Sequence, residues 1–149
     1  MMCAVRRSLR LFLDANVLVS AVWKEDSKLR RIWQIPGVEL VTSQYVLVEC
    51  ERNLPRPEQL ERLKDLLTSV RVLSIQPVLA MEGLPDLPAK DQPVLAAAVL
   101  SRSAFLITGD RTHFGALYGS TILGVRVESP GSLPSVLGAG FEMLGVCRA

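Results

Sequence analysis

The sequence predicts an α/β domain, with a parallel central sheet of about five strands and helices on both faces. Three observations carry this. Short apolar runs alternate along the chain with stretches whose apolar residues recur at helical spacing. Breakers separate them: Pro36-Gly37, Pro55, Pro57 and a proline-rich segment from 76 to 90. Hydrophobic residues make up 49% of 149 residues, enough for one substantial core. The expectation is one domain over 1–149, with its core at about 9–134 and the tail 138–149 unassigned.

Leu9 to Leu13 is a short apolar run ending at Asp14, the pattern of a buried strand. Ala15 to Trp23 continues without a breaker and reads as a helix. In 25–35, Leu29, Ile32 and Trp33 fall at helical spacing, predicting a second helix that stops at Pro36-Gly37. Val38 to Val41 is the second strand. Thr42 or Ser43 then caps a helix from Tyr45 to Asn53. Pro57 starts a helix carrying Leu60, Leu63, Leu66 and Leu67, and Val70 to Ile75 alternates as a third strand. After the loop 76–90, Asp91 opens an apolar helix from Pro93 to Leu100, with proline confined to the first turn. Ala104 to Thr108 is the fourth strand. Residues 111–121 are a loop or short helix, Ile122 to Val127 is the last strand, and Pro130 and Pro134 bracket a short C-terminal helix.

Composition excludes several classes. A net charge of +2 gives no argument for nucleic acid by itself. Cys3, Cys50 and Cys147 are odd in number and widely spaced, which argues against a disulfide framework and against zinc. No run approaches the roughly 20 apolar residues that span a membrane. The expectation is a cytoplasmic protein without membrane attachment.

Parallel sheets build their sites at the carboxyl ends of the strands. Asp14 follows the first predicted strand and Asp110 follows the fourth, so both belong to one sheet edge. Asp91 stands at the start of the helix leading into that fourth strand. Glu49 lies among Val46, Leu47 and Val48. Clustered carboxylates raise one another's pKa, and a divalent cation relieves the repulsion. Hard oxygen ligands suit Mg2+ or Mn2+. Each acid alone has an ordinary structural reading. Asp14 and Asp110 could be turn or cap residues, Asp91 a charge at a helix N-terminus, and Glu49 a solvated helix residue with Glu51 as competitor. Their order along the chain is more specific than any one of them.

Leu11-Phe12-Leu13-Asp14-Ala15-Asn16-Val17-Leu18-Val19-Ser20-Ala21 resembles the opening of a PIN domain. Ser43 through Glu49, Lys90-Asp91 with Ala96-Ala97-Ala98, and Leu106-Ile107-Thr108-Gly109-Asp110 resemble the segments carrying that family's other acids. The resemblance runs from about Leu9 to Leu133. It implies a small metal-dependent ribonuclease, often a dimer and often the toxin of a bacterial toxin–antitoxin pair. Asp14, Glu49, Asp91 and Asp110 would then be the catalytic acids and the ligands of Mg2+ or Mn2+, oriented by Asn16, Ser20 and Thr108. One departure stands out. Many relatives carry a further acid shortly after the last aspartate, where this chain has Arg111-Thr112-His113-Phe114.

RNA would require cations near the acids. Arg111, beside Asp110, is the leading substrate contact, followed by Lys90 and His113. Lys24, Lys28, Arg30 and Arg31 lie on the helix after Asp14 as further cations, of which Lys28 and Arg30 read as solvated charges, and Trp23 and Trp33 read as core or interface residues rather than base-stacking platforms. Three other classes compete. A haloacid-dehalogenase-type phosphatase needs a second aspartate at position 16, where Asn16 stands. A receiver-like domain needs an early acid pair and a late lysine, and neither is evident. A catalytically weak RNA-binding or regulatory module is compatible with the missing late acid and is separated from a nuclease by cleavage assays.

Overall fold

In a computed structural model, which describes residues 9–75 and 81–143 (side chains to 138), the chain forms a six-stranded sheet. The strands are β1 (Leu9–Leu13), β2 (Val38–Ser43), β3 (Val70–Leu73), β4 (Phe105–Ile107), β5 (Thr121–Ile122) and β6 (Val125–Glu128). Their order is β3-β2-β1-β4-β6-β5, and every neighbouring pair is parallel except β5 against β6. The helices are α1 (Ala15–Trp23), α2 (Gln44–Arg52), α3 (Pro57–Leu67), α4 (Gln92–Leu100), α5 (Arg111–Phe114) and α6 (Leu133–Met143).

β1 is the centre of the fold. Leu11, Phe12 and Leu13 are each 0% exposed. Successive strand side chains point to opposite faces, so consecutive burial means that both faces are covered. Leu106 and Ile107 of β4 repeat the pattern. Leu11 pairs with Leu40 on one side and Phe105 on the other. Truncating a fully buried Phe12 to alanine would cost about 3–5 kcal/mol.

The helices begin where local chemistry directs. The Asp14 side chain accepts from Ala15 N, and Ser43 Oγ accepts from Val46 N at 3.3 Å. Gln59 Oε1 accepts from Arg56 N at 3.1 Å at the start of α3, with Pro57 in the first turn. α4 is buried continuously from Pro93 to Ala98, and its small alanines allow close approach. No helix among the described residues is long and apolar enough to cross a membrane.

Three expectations change. The C-terminal helix expected between Pro130 and Pro134 is α6, which starts at Leu133, takes Pro134 into its first turn and runs to Met143. The segment expected as a helix over 25–35 is a 3-10 helix, Lys28–Gln34, started by Ser27 Oγ accepting from Leu29 N and anchored by Arg30 Nε donating to Ala21 O at 3.1 Å. The strand expected over Ile122 to Val127 is the hairpin β5–β6. Leu123 and Gly124 turn between the two strands at φ 48° and 89°. Two successive positive φ angles give the tight turn whose twist matches antiparallel strands. Residues 76–80 of the expected loop, Cys3, Cys147 and the tail from 144 lie outside the described residues.

Candidate active site

The ends of β1, β4 and β6 are locked side by side. Asp14 N donates to Ile107 O and Thr108 N to Glu128 O, both at 3.0 Å. This brings Asp14 and Thr108 together. Thr108 Oγ1 donates to Asp14 Oδ2 at 2.8 Å, and Asp14 Oδ1 accepts from Ala15 N at 2.8 Å. The same threonine oxygen accepts from Asp110 N at 3.2 Å and from Asn16 Nδ2 at 3.3 Å. Asn16 Oδ1 accepts from Gly109 N at 2.7 Å. A Cβ on Gly109 would stand 3.3 Å from that oxygen, so glycine is the residue that lets the loop sit this close. Asn16 is therefore a clamp between the two aspartate loops, which also removes the role the phosphatase reading would require of this position.

Asp14 is 5% exposed. Burial raises its pKa to about 6 against the lowering hydrogen bonds from Thr108 and Ala15, and the Glu49 and Asp91 charges raise it further. Asp91 occupies the N-cap position of α4 and is also buried. Its pKa is raised by burial, against the lowering effects of His113 and Lys90, while the Asp110 charge raises it further. Asp91 Oδ2 is buried without a hydrogen bond of acceptable geometry, although His113 Nδ1 lies 3.0 Å away. Asp110 caps α5, accepting from His113 N at 3.1 Å through Oδ1 and meeting His113 Nδ1 at 2.8 Å through Oδ2.

A cleft of about 380 Å³ is lined by Asp14, Asn16, Glu49, Asp91 and Asp110, together with Val19, Trp23, Asn53 and Lys90. All four sequence-predicted acids thus share one cavity, and Glu51, the competitor of Glu49, is exposed outside its lining. Lys90 is on the wall, whereas Arg111 is exposed and outside the lining. Ser20 is not brought to the acids. It is exposed, its carbonyl accepts from Ser27 Oγ at 2.8 Å, and it borders the neighbouring depression with Lys24 and Lys28. Of the core or interface expectation for Trp23, the core half is overturned, since the residue is 47% exposed at the cleft. Trp33 is partly buried and donates through its indole N–H to Leu66 O at 3.0 Å.

Sequence reasoning missed two tyrosines. Tyr45 OH donates to Lys90 O, and Tyr118 OH donates to Thr108 O, both at 2.8 Å. Each holds backbone beside an acid. Only their nearness in sequence to Glu49 and Asp110 hinted at this.

The residues fit a divalent cation. One ligand atom each from Asp91, Asp110 and His113 lies within 4.8 Å of the others, and the buried, unpartnered Asp91 oxygen calls for positive charge. A parallel α/β domain that gathers carboxylates at the carboxyl ends of its strands is the class defined by this fold and site. The PIN domain family model matches residues 10–112, and the chain belongs to that family. No curated protein matches the sequence. Among solved structures, a chain of VapBC2 from Rickettsia felis, crystallised bound to a promoter DNA fragment, is similar with TM-score 0.58 and 14% identity. That match covers 81% of this chain and 98% of that one. VapC20 of Mycobacterium tuberculosis, described as a sarcin-ricin loop cleaving toxin, is similar with TM-score 0.52 and 19% identity, covering 78% and 98%.

Proposed function

We propose that this chain is a metal-dependent endoribonuclease of the cytoplasm, the toxin of a toxin–antitoxin pair, working as a homodimer restrained by an antitoxin protein. The observation that carries the reading is the convergence of Asp14, Glu49, Asp91 and Asp110 on one cleft, with burial raising the pKa of two of them. Such a site holds four carboxylates against the single Lys90 of its wall, and a bound cation offsets the excess negative charge. The two similar structures add support for the partner and substrate classes, since one is VapBC2 bound to a fragment of its promoter DNA and the other a sarcin-ricin loop cleaving toxin.

Asp14, Glu49, Asp91 and Asp110 would hold Mg2+ or Mn2+. Such an ion, when bound, acidifies an attacking water and offsets charge on the phosphate and leaving oxygen. Thr108 and Asn16 fix the Asp14 carboxylate and the Gly109-Asp110 backbone in one arrangement. Lys90 meets the phosphate chain from the cleft wall, and the exposed Trp23 offers a face on which a base stacks.

The test is cleavage of labelled structured RNA by purified protein with Mn2+ and with chelator, alongside Asp110→Asn. Cutting that requires metal and disappears in the variant is the expected result. Intact binding without cutting, from protein free of any co-purified inhibitor, would move the chain to the RNA-binding module class.

A further inference from the structure

His113 stands where two carboxylates meet. Its Nδ1 is 2.8 Å from Asp110 Oδ2 and 3.0 Å from Asp91 Oδ2. A ring nitrogen carries at most one hydrogen, and here only the Asp110 contact has hydrogen-bond geometry. Asp91 Oδ2 is left buried and unpartnered, on a residue only 7% exposed. A single N–H does not account for both oxygens, whereas a cation touching all three atoms does. The spacing agrees, because adjacent ligands of an octahedral ion with bonds of about 2.1 Å stand about 3.0 Å apart.

The local sequence produces the arrangement. Asp110 caps α5, so its carboxylate lies over the first turn, and a residue three positions on projects from the same face. Tyr118 ties the preceding backbone at Thr108 O, and Asp91 approaches from the start of α4. The nitrogen donor is therefore built in by three separate elements.

We propose that His113 Nδ1 is a metal ligand together with Asp91 and Asp110, and that this nitrogen makes the site select Mn2+ and related transition ions over Mg2+. The proposal rests on the metal-dependent reading above. Imidazole nitrogen suits first-row transition ions, whereas carboxylate and water oxygens alone serve Mg2+. The chain thereby has a metal preference distinct from that of an all-carboxylate cleft.

The experiment measures binding rather than turnover. Mn2+ affinity is read from the loss of the free-ion electron paramagnetic resonance signal, and Mg2+ affinity by competition against it, on the full chain and on His113→Ala, His113→Asn and His113→Asp. Circular dichroism confirms folding, and because the His113 side chain is 29% exposed the variants should fold. The expected result is a loss of Mn2+ affinity of about tenfold or more in His113→Ala, with Mg2+ changed less than about threefold. His113→Asp should narrow the Mn2+ to Mg2+ ratio by strengthening Mg2+ binding, because it supplies a carboxylate oxygen in place of the nitrogen. Unchanged or tighter Mn2+ binding in both His113→Ala and His113→Asn overturns the proposal, since the histidine is then an internal counter-charge. Parent protein that binds neither ion overturns the metal reading itself. Loss of both ions in Asp91→Asn with no effect of His113→Ala overturns the histidine alone.

Discussion

Thr108 Oγ1 and Asp14 Oδ2, on residues 94 positions apart, are joined by a 2.8 Å hydrogen bond in the buried interior at the end of the sheet. The bond does two things at once. It lowers the pKa of a carboxylate that burial drives upward, and it orders the hydroxyl that accepts from Asp110 N. Thr108→Val keeps the shape and removes the hydroxyl. Cleavage should fall about 10–100-fold, and stability by about 1–3 kcal/mol because the buried Asp14 carboxylate loses a donor and the half-buried Asp110 N–H loses its acceptor. Thr108→Ser should recover most of both. Parallel thermal melts and metal-dependent RNA cleavage check this, and a fully active Thr108→Val would remove the threonine from any orienting role.

Asp14→Asn should abolish activity and raise the stability of the metal-free protein at pH 7. The folded pKa of about 6 stands above the ordinary 3.8, so folding favours the protonated acid. Its favourable contribution is complete below about pH 3.8 and is lost as pH rises to about 6. The loss amounts to at most about 3 kcal/mol. Denaturant melts in chelator should place the variant above the parent at pH 7 and level with it near pH 4. Equal melting at both pH values would contradict the burial argument.

Activity should therefore depend on pH in a metal-linked way. With limiting Mn2+, kcat/KM should climb as Asp14 ionises, with a midpoint near 6. Raising Mn2+ should move the midpoint down, because the cation stabilises the ionised acid. A midpoint independent of Mn2+ concentration would separate Asp14 from the metal.

Lys90→Ala should weaken RNA binding and reduce the slope of log K against log salt by about 1, the signature of one lost phosphate contact. Arg111→Ala should do less, since Arg111 is exposed outside the cleft lining. Binding titrations at several salt concentrations distinguish the two, and a larger slope change for Arg111→Ala would reverse the assignment.

Gly124→Ala tests the hairpin apart from the site. With φ at 89°, the substitution should cost about 1 kcal/mol and leave cleavage unchanged. A melt that does not shift would mean the turn has another conformation.

The sequence was most legible where one strong local signal dominated. The Leu9–Leu13 run and its abrupt end at Asp14 mark β1 and α1 at the observed residues, and Ser43 and Pro57 mark two further helix starts. The 25–35 segment misled because Leu29 and Ile32 are three apart, a spacing that fits a 3-10 helix as well as an α-helix. The β5–β6 turn was hidden by an apolar residue, Leu123, at a positive-φ position that local sequence disfavours, although Gly124 beside it was a usable sign. Within the site, the four acids were readable from their places after strands and on helices. Their hydrogen-bonded supports were not. The Tyr45–Lys90 bond spans 45 positions, and such pairings are set by packing rather than by any local pattern. His113 was seen as a lone histidine, and its three-residue offset from Asp110 acquires meaning only once α5 is known to begin there.

Asp14, Asp91 and Asp110 each occupy the N-cap position, immediately before the first residue of a helix. The cleft is thus assembled from the parts of helices that open most readily. Fraying a single turn displaces an acid without unfolding the sheet behind it, where Leu11, Phe12 and Leu106 remain fully buried. Competence for chemistry and survival of the fold are therefore separable quantities in this protein. Amide exchange at the starts of α1, α4 and α5 reports the first, while exchange in β1 and β4 reports the second.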